Sequence, residues 1–212
     1  PAHGQDGRHD QHHADHERAA QHASHRAPPP APAAEPLRGG PSACNGRPSS
    51  AWAVLELAAG REPELSPVER SRARRRLADH GLAGLVVQLR ARADRHEAYA
   101  HPSALDRISG DDRVIRGGIS AAQVYRVDLI VRDAAEVYVR AGDLAELADS
   151  YALDGSADRP NVILHVVDDE AWPFDDDEQV APWPVVAIDL LDADDERSRR
   201  AGIGAGRVGR GV

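Results

Sequence analysis

Lysine and methionine are missing altogether from these 212 residues, cysteine and phenylalanine each occur once, and aromatic residues make up only 4%. All 26 basic residues are therefore arginines, the bias of a GC-rich coding sequence. The lone Cys44 excludes an internal disulfide and any cysteine-built zinc site, as expected of a reducing cytoplasm. No apolar run approaches the roughly 20 residues that cross a bilayer, and the chain does not open on a basic-then-apolar signal. A cytoplasmic protein with no membrane partner is expected. The first residue is Pro1, as in a fragment or a displaced start. No GxSxG, Walker sequence or Cys–His pair is present.

Charge and composition are uneven along the chain. Residues 101–212 carry 12 Arg against 23 Asp and Glu, whereas residues 51–100 carry 9 against 7. An acidic surface repels phosphate backbones, so nucleic-acid contact is expected only from the middle segment. Residues 1–50 are rich in His, Ala, Pro and Gly, with PPPAPAAEP at 28–36. So few branched aliphatics cannot bury enough area to offset chain entropy, and a disordered leader is expected there. Its His9, His12, His13 and His16, followed by His22 and His25, have a spacing that would align imidazoles on a helix for zinc, nickel or copper. Low-complexity sequence explains them as well, and no metal or cofactor is expected.

Residues 51–100 read as helical. Trp52, Leu55 and Ala59 fall at helical spacing, and Ser66-Pro67-Val68-Glu69 is a capping box with proline at the first helical position. That helix should end near Asp79 and Gly81, and Leu82, Leu85, Val86 and Leu89 predict a second helix to about Arg95, a partial helix-turn-helix. Arg72, Arg75, Arg76, Arg90 and Arg92 are the phosphate-contacting candidates of this hairpin. Beyond it, residues 101–202 mix strands and helices without a βαβ rhythm, which predicts an α+β domain. Val137 to Val139 and Asn161 to Val167 read as strands, Asp143 to Tyr151 as a helix, and Val185 to Leu191 as a buried segment, strand or helix. The glycine-rich residues 203–212 are expected to form a flexible tail.

Two groupings bear on chemistry. Gly117-Gly118-Ile119-Ser120 followed by Asp128 resembles the opening of a nucleotidyltransferase site, where a glycine pair cradles phosphate and two carboxylates one residue apart hold magnesium. The second carboxylate position here is Ile130, so Asp133 or Asp189 would have to approach in space. A strand, tight turn and helix account for the glycines without catalysis. The second grouping is the loop WPFDDDEQVAPWP, in which Trp172 and Trp183 flank Asp175 and Asp176. These four are the partner-binding candidates, aromatic anchors beside a solvated acidic rim suited to an arginine-rich protein.

The segments RVIRGGISAAQVY, VYVR, DLAELADSYAL, NVILHVVDDEAWPF and VAPWPVVAIDLLDADDERSRRAG, over about residues 103–200, resemble in pattern the C-terminal domain of AbiEi-type antitoxins. These are transcriptional regulators of type IV toxin-antitoxin systems. The resemblance implies a non-enzymatic regulator with no catalytic residues, which binds operator DNA through an N-terminal winged helix and neutralises a nucleotidyltransferase toxin through its C-terminal domain. Residues before 100 do not spell a complete winged helix. The alternative is a divergent nucleotidyltransferase using Gly117, Gly118, Ser120 and Asp128.

Overall fold

A computed structural model describes residues 48–208, with side chains over 50–203. The histidine array and nearly all of the expected leader lie outside the described residues, as do residues 209–212. The described chain forms helices around one four-stranded mixed sheet, an α+β fold.

Helix α1, Pro48–Ala58, buries Ala51, Trp52, Val54 and Leu55. Helix α2, Pro67–His80, begins at the expected capping box, in which the Glu69 amide donates to Ser66 Oγ at 3.3 Å and the Ser66 amide to Glu69 Oε2 at 3.2 Å. Gly81, at φ 62°, ends it. The second helix of the hairpin is shorter than its apolar spacing predicts. It is a four-residue α3, Val86–Leu89, between two 3-10 turns, Ala83–Leu85 and Arg90–Arg92. The chain then enters strand β1, Asp94–Ala98, because Ala91 and Arg92 turn inward and end the helical stripe.

Helix α4, Leu105–Ser109, leads to β2, Val114–Arg116, and the Gly117-Gly118 turn opens a single-turn α5, Gly118–Ala121. This helix is followed by a loop in which Arg126 sits at φ 56°. Strand β3, Ala135–Arg140, helix α6, Leu144–Tyr151, and strand β4, Val162–Val167, follow. The segment left open between strand and helix is helix α7, Trp183–Asp192, preceded by Pro182 and buried from Pro184 to Leu190. Helix α8, Glu196–Val208, carries through residues expected to lack structure. Gly202 explains part of this, since a Cβ there would sit 2.9 Å from the Leu191 amide nitrogen, so glycine is what lets α8 close on α7.

The strand order is β1-β4-β3-β2, with β3 and β4 parallel and the outer pairs antiparallel. Residue 100 is therefore no boundary in space: β1, from the helical segment, pairs with β4, and residues on both sides of 100 share one sheet. Alternation sorts the strands into two faces. Val114, Val137, Val139, Val162 and Leu164 pack with Leu105, Ile108 and Leu147. Ile115, Tyr138 and Val167 pack with Trp52, Leu85, Leu89, Val186, Ile188 and Leu190. The second face, roofed by α1, α3 and α7, holds the polar residues considered next.

Candidate functional site

Glu136 and Tyr138 alternate with Ala135, Val137 and Val139 on β3, and alternation turns both toward α7. In the parallel register Tyr138 pairs with His165 of β4, and their rings stack with centroids 4.6 Å apart. Asp189 enters from α7 and Arg92 from the 3-10 turn before β1. Arg92 and Asp189 are 2% exposed, Glu136 and His165 4%.

These side chains form one closed network. Arg92 Nη2 donates to Asp189 Oδ1 at 2.5 Å, Arg92 Nε to the Tyr138 hydroxyl at 2.8 Å, and Arg92 Nη1 to the Leu89 carbonyl at 2.9 Å. The Tyr138 hydroxyl donates to the same Asp189 oxygen at 2.6 Å. His165 Nε2 meets Glu136 Oε1 at 2.8 Å and lies 3.9 Å from Asp189 Oδ1. The glycine turn supplies the remaining donors, Gly118 N–H to Asp189 Oδ2 at 2.9 Å and Ile119 N–H to Glu136 Oε2 at 3.0 Å. The Glu136 amide donates to Ser120 Oγ at 2.9 Å.

The glycines are required by these carboxylates. Gly118 sits at φ 31°, and a Cβ there would overlap the Glu136 carboxylate. A Cβ on Gly117 would lie 2.8 Å from the Tyr138 ring and 2.9 Å from Asp189 Oδ2. Burial pushes the Tyr138 phenol well above its ordinary range. Burial acts to lower Arg92, but Tyr138 and Asp189 outweigh it and leave the guanidinium raised, a permanent cation.

Glu136, His165 and Asp189 place one donor atom each within 4.8 Å of one another. Distance alone would suit a cation. A cation there would, however, have to share Asp189 Oδ1 with the permanent positive charge of Arg92.

The sequence candidates are distributed differently. Arg92 is corrected outright, since a side chain enclosed by Tyr138, Asp189 and Leu89 has no surface to offer a phosphate. Arg90 is exposed but ion-paired to Asp192 at 2.5 Å. Arg72, Arg75 and Arg76 are exposed on α2, with Arg75 3.5 Å from Asp79. Among the described residues before 100 the one strand is β1, which pairs with β4. Asp128 is exposed in the loop after α5, and the carboxylates at the glycine turn are Glu136 and Asp189. Trp172 is half-buried between Phe174, 5.0 Å away, and the Arg140 guanidinium, 4.5 Å above its ring. Trp183 packs on Tyr125 at 5.2 Å. Asp175 and Asp176 are exposed, and Asp176 lies 3.9 Å from Arg140.

Two surface depressions accompany this centre. A groove of about 850 Å³ runs past Asp106, Asp112, Ser120, Arg132, Asp176 and Asp177. An apolar groove of about 670 Å³ lies among Leu57, Leu77, Leu82, Trp183, Leu191 and Ile203. Compared with protein-family models, with curated proteins and with solved structures, the chain matches none. No helix of the described residues is long and apolar enough to cross a membrane.

Proposed function

We propose that this chain is a non-enzymatic, antitoxin-like regulator of the reducing cytoplasm that works through its surface, with a protein partner as its principal target. The observation that carries this reading is the saturation of the polar centre. The glycine turn that would cradle phosphate in a nucleotidyltransferase instead donates Gly118 and Ile119 N–H to Asp189 and Glu136. A substrate or magnesium ion would have to break buried charge-assisted hydrogen bonds to enter.

The outer surface supports a protein partner. The 850 Å³ groove presents Asp106, Asp112, Asp176 and Asp177 to solvent, a field that favours a basic protein and disfavours nucleic acid. Operator DNA, if bound, is met by Arg72, Arg75 and Arg76 on α2. The candidate partner is a nucleotidyltransferase encoded beside this chain, in keeping with the resemblance of residues 103–200.

One preparation tests both parts. The full chain, expressed with its flanking reading frames, is expected to co-purify with a nucleotidyltransferase and to transfer no label from any NTP with magnesium. Label transfer abolished by Glu136→Gln would instead establish the enzyme. At low salt, binding to its own upstream DNA above binding to random DNA, lost in the Arg72, Arg75 and Arg76 triple alanine variant, is the expected result for operator contact. Equal binding to both DNAs removes that part.

A further inference from the structure

The two edges of the sheet are closed to different degrees. On β2 the Gly117 amide donates to the Glu136 carbonyl of β3 at 3.0 Å, so alternation turns the backbone groups of Val114 and Arg116 outward. Other chain segments meet them there. The Val114 amide donates to the Asp111 carbonyl at 3.2 Å, the Arg116 amide to the Gln179 carbonyl at 3.1 Å, and the Ala181 amide to the Arg116 carbonyl at 2.9 Å. On β1, Tyr99 exchanges both of its backbone hydrogen bonds with Asp154, at 2.8 and 2.9 Å, and none with β4. Alternation gives the same outward direction to Arg95 and Glu97. β1 is an outermost strand, and among the described residues its one bridge on that side is Tyr99 to Asp154. The amides and carbonyls of Arg95 and Glu97 are therefore open, and an open edge is a template for another strand.

We propose that this stretch of β1 seats a second copy of the chain, whose own β1 adds antiparallel about a two-fold axis at His96. A two-fold pair must bring outward-facing residues opposite one another, and charge decides which. An axis at Arg95 sets that arginine against itself, and an axis at Glu97 sets that glutamate against itself. The axis at His96 sets Arg95 opposite the partner's Glu97, and Glu97 opposite the partner's Arg95, each pair exchanging two backbone hydrogen bonds.

The side chains favour the same register. Arg95 and Glu97 share one face of the strand and pair within the chain at 2.6 Å, with Arg95 also reaching Asp194 at 3.3 Å. They are 36% and 42% exposed, which leaves both open to a further neighbour. In the dimer the pair within each chain is kept, and every charge faces the opposite sign across the strands as well as along them. Asp154 already occupies the outer side of Tyr99, so the ladder is confined to these two residues of each chain. So short a contact predicts a weak, reversible dimer.

Sedimentation equilibrium of the full chain is expected to show monomer and dimer exchanging with concentration. A chain that stays monomeric into the millimolar range overturns the proposal, with no variant required. Arg95→Glu, which turns both cross-strand pairs repulsive, should weaken association about tenfold, and unchanged association would contradict the register. The axis itself is tested by cross-linking in a Cys44→Ser background, because only the residue on the axis meets its own copy. His96→Cys is expected to oxidise to a covalent dimer, whereas Asp94→Cys, more exposed but opposite the partner's Ala98, should stay monomeric. Cross-linking of Asp94→Cys equal to or above that of His96→Cys would place any dimer on another surface and overturn the proposal.

Discussion

Arg92 shows how one residue decides between a surface and a core reading. In the sequence it is one of many arginines in a basic helical stretch. In the fold it binds Asp189, Tyr138 and the Leu89 carbonyl with no surface left over. Removing it would leave Asp189 buried without its counter-charge. Arg92→Ala is expected to cost about 3 to 5 kcal/mol in urea denaturation, and a loss below about 1 kcal/mol would show that the pair contributes little. Gly118→Ala is a second test, because its Cβ overlaps the Glu136 carboxylate and its φ is positive. It should lower stability by at least about 2 kcal/mol, while Gly110→Ala, whose Cβ would meet nothing nearer than the Asp106 carbonyl oxygen at 3.4 Å, should cost far less. The partners of Arg92 did leave a trace in the sequence. Asp189 interrupts the apolar run VVAIDLL, and a lone carboxylate there needs a buried partner. Glu136 and Tyr138 occupy the polar phase of AEVYVR, but alternation alone does not reveal that both faces of β3 are buried.

At the scale of elements, caps and strands were readable where local chemistry decides them. The Ser66–Glu69 capping box begins α2 at the predicted residue, and β3 and β4 lie where their branched aliphatics placed them. What could not be read was set by distant contacts. The hairpin's second helix ends at Arg92 because Asp189, 97 positions later, draws that side chain inward. Helix α8 continues past Gly202, where the missing side chain lets it lie against Leu190 and Leu191 of α7. The joint between α4, β2 and α6 offers a test at this scale. Asp111 accepts from Arg113 Nε at 2.8 Å and Nη2 at 2.7 Å, and from the Tyr151 hydroxyl at 2.8 Å. Hydrogen bonds from the Arg113 side chain, then from its amide and from Tyr151, hold the Asp111 carboxyl well below the usual carboxylate range. A depressed carboxyl stabilises the fold above its unfolded value, about 3.9, and this contribution is lost as pH falls further. Asp111→Asn should therefore be less stable than the wild type near neutral pH, with the gap closing below about pH 4. A gap that persists unchanged to pH 2 would assign the effect to packing instead.

For the molecule as a whole, the sheet separates two kinds of core. One face is packed almost wholly by aliphatics against α4 and α6. The other combines aliphatics with the Arg92, Glu136, Tyr138, His165 and Asp189 network beneath α1, α3 and α7. The proposed division of labour is that this network specifies how α7 seats on the sheet, while recognition falls to the acidic groove and the outer arginines of α2. Hydrogen exchange of the Gly118 and Ile119 amides tests that division most directly, since both donate into the centre. A sealed centre opens only with the molecule, so their opening free energy should equal that of global unfolding measured by denaturant under the same conditions. An opening free energy several kcal/mol below the global value, further changed by magnesium and NTP, would mean that the centre admits ligand and would contradict the account.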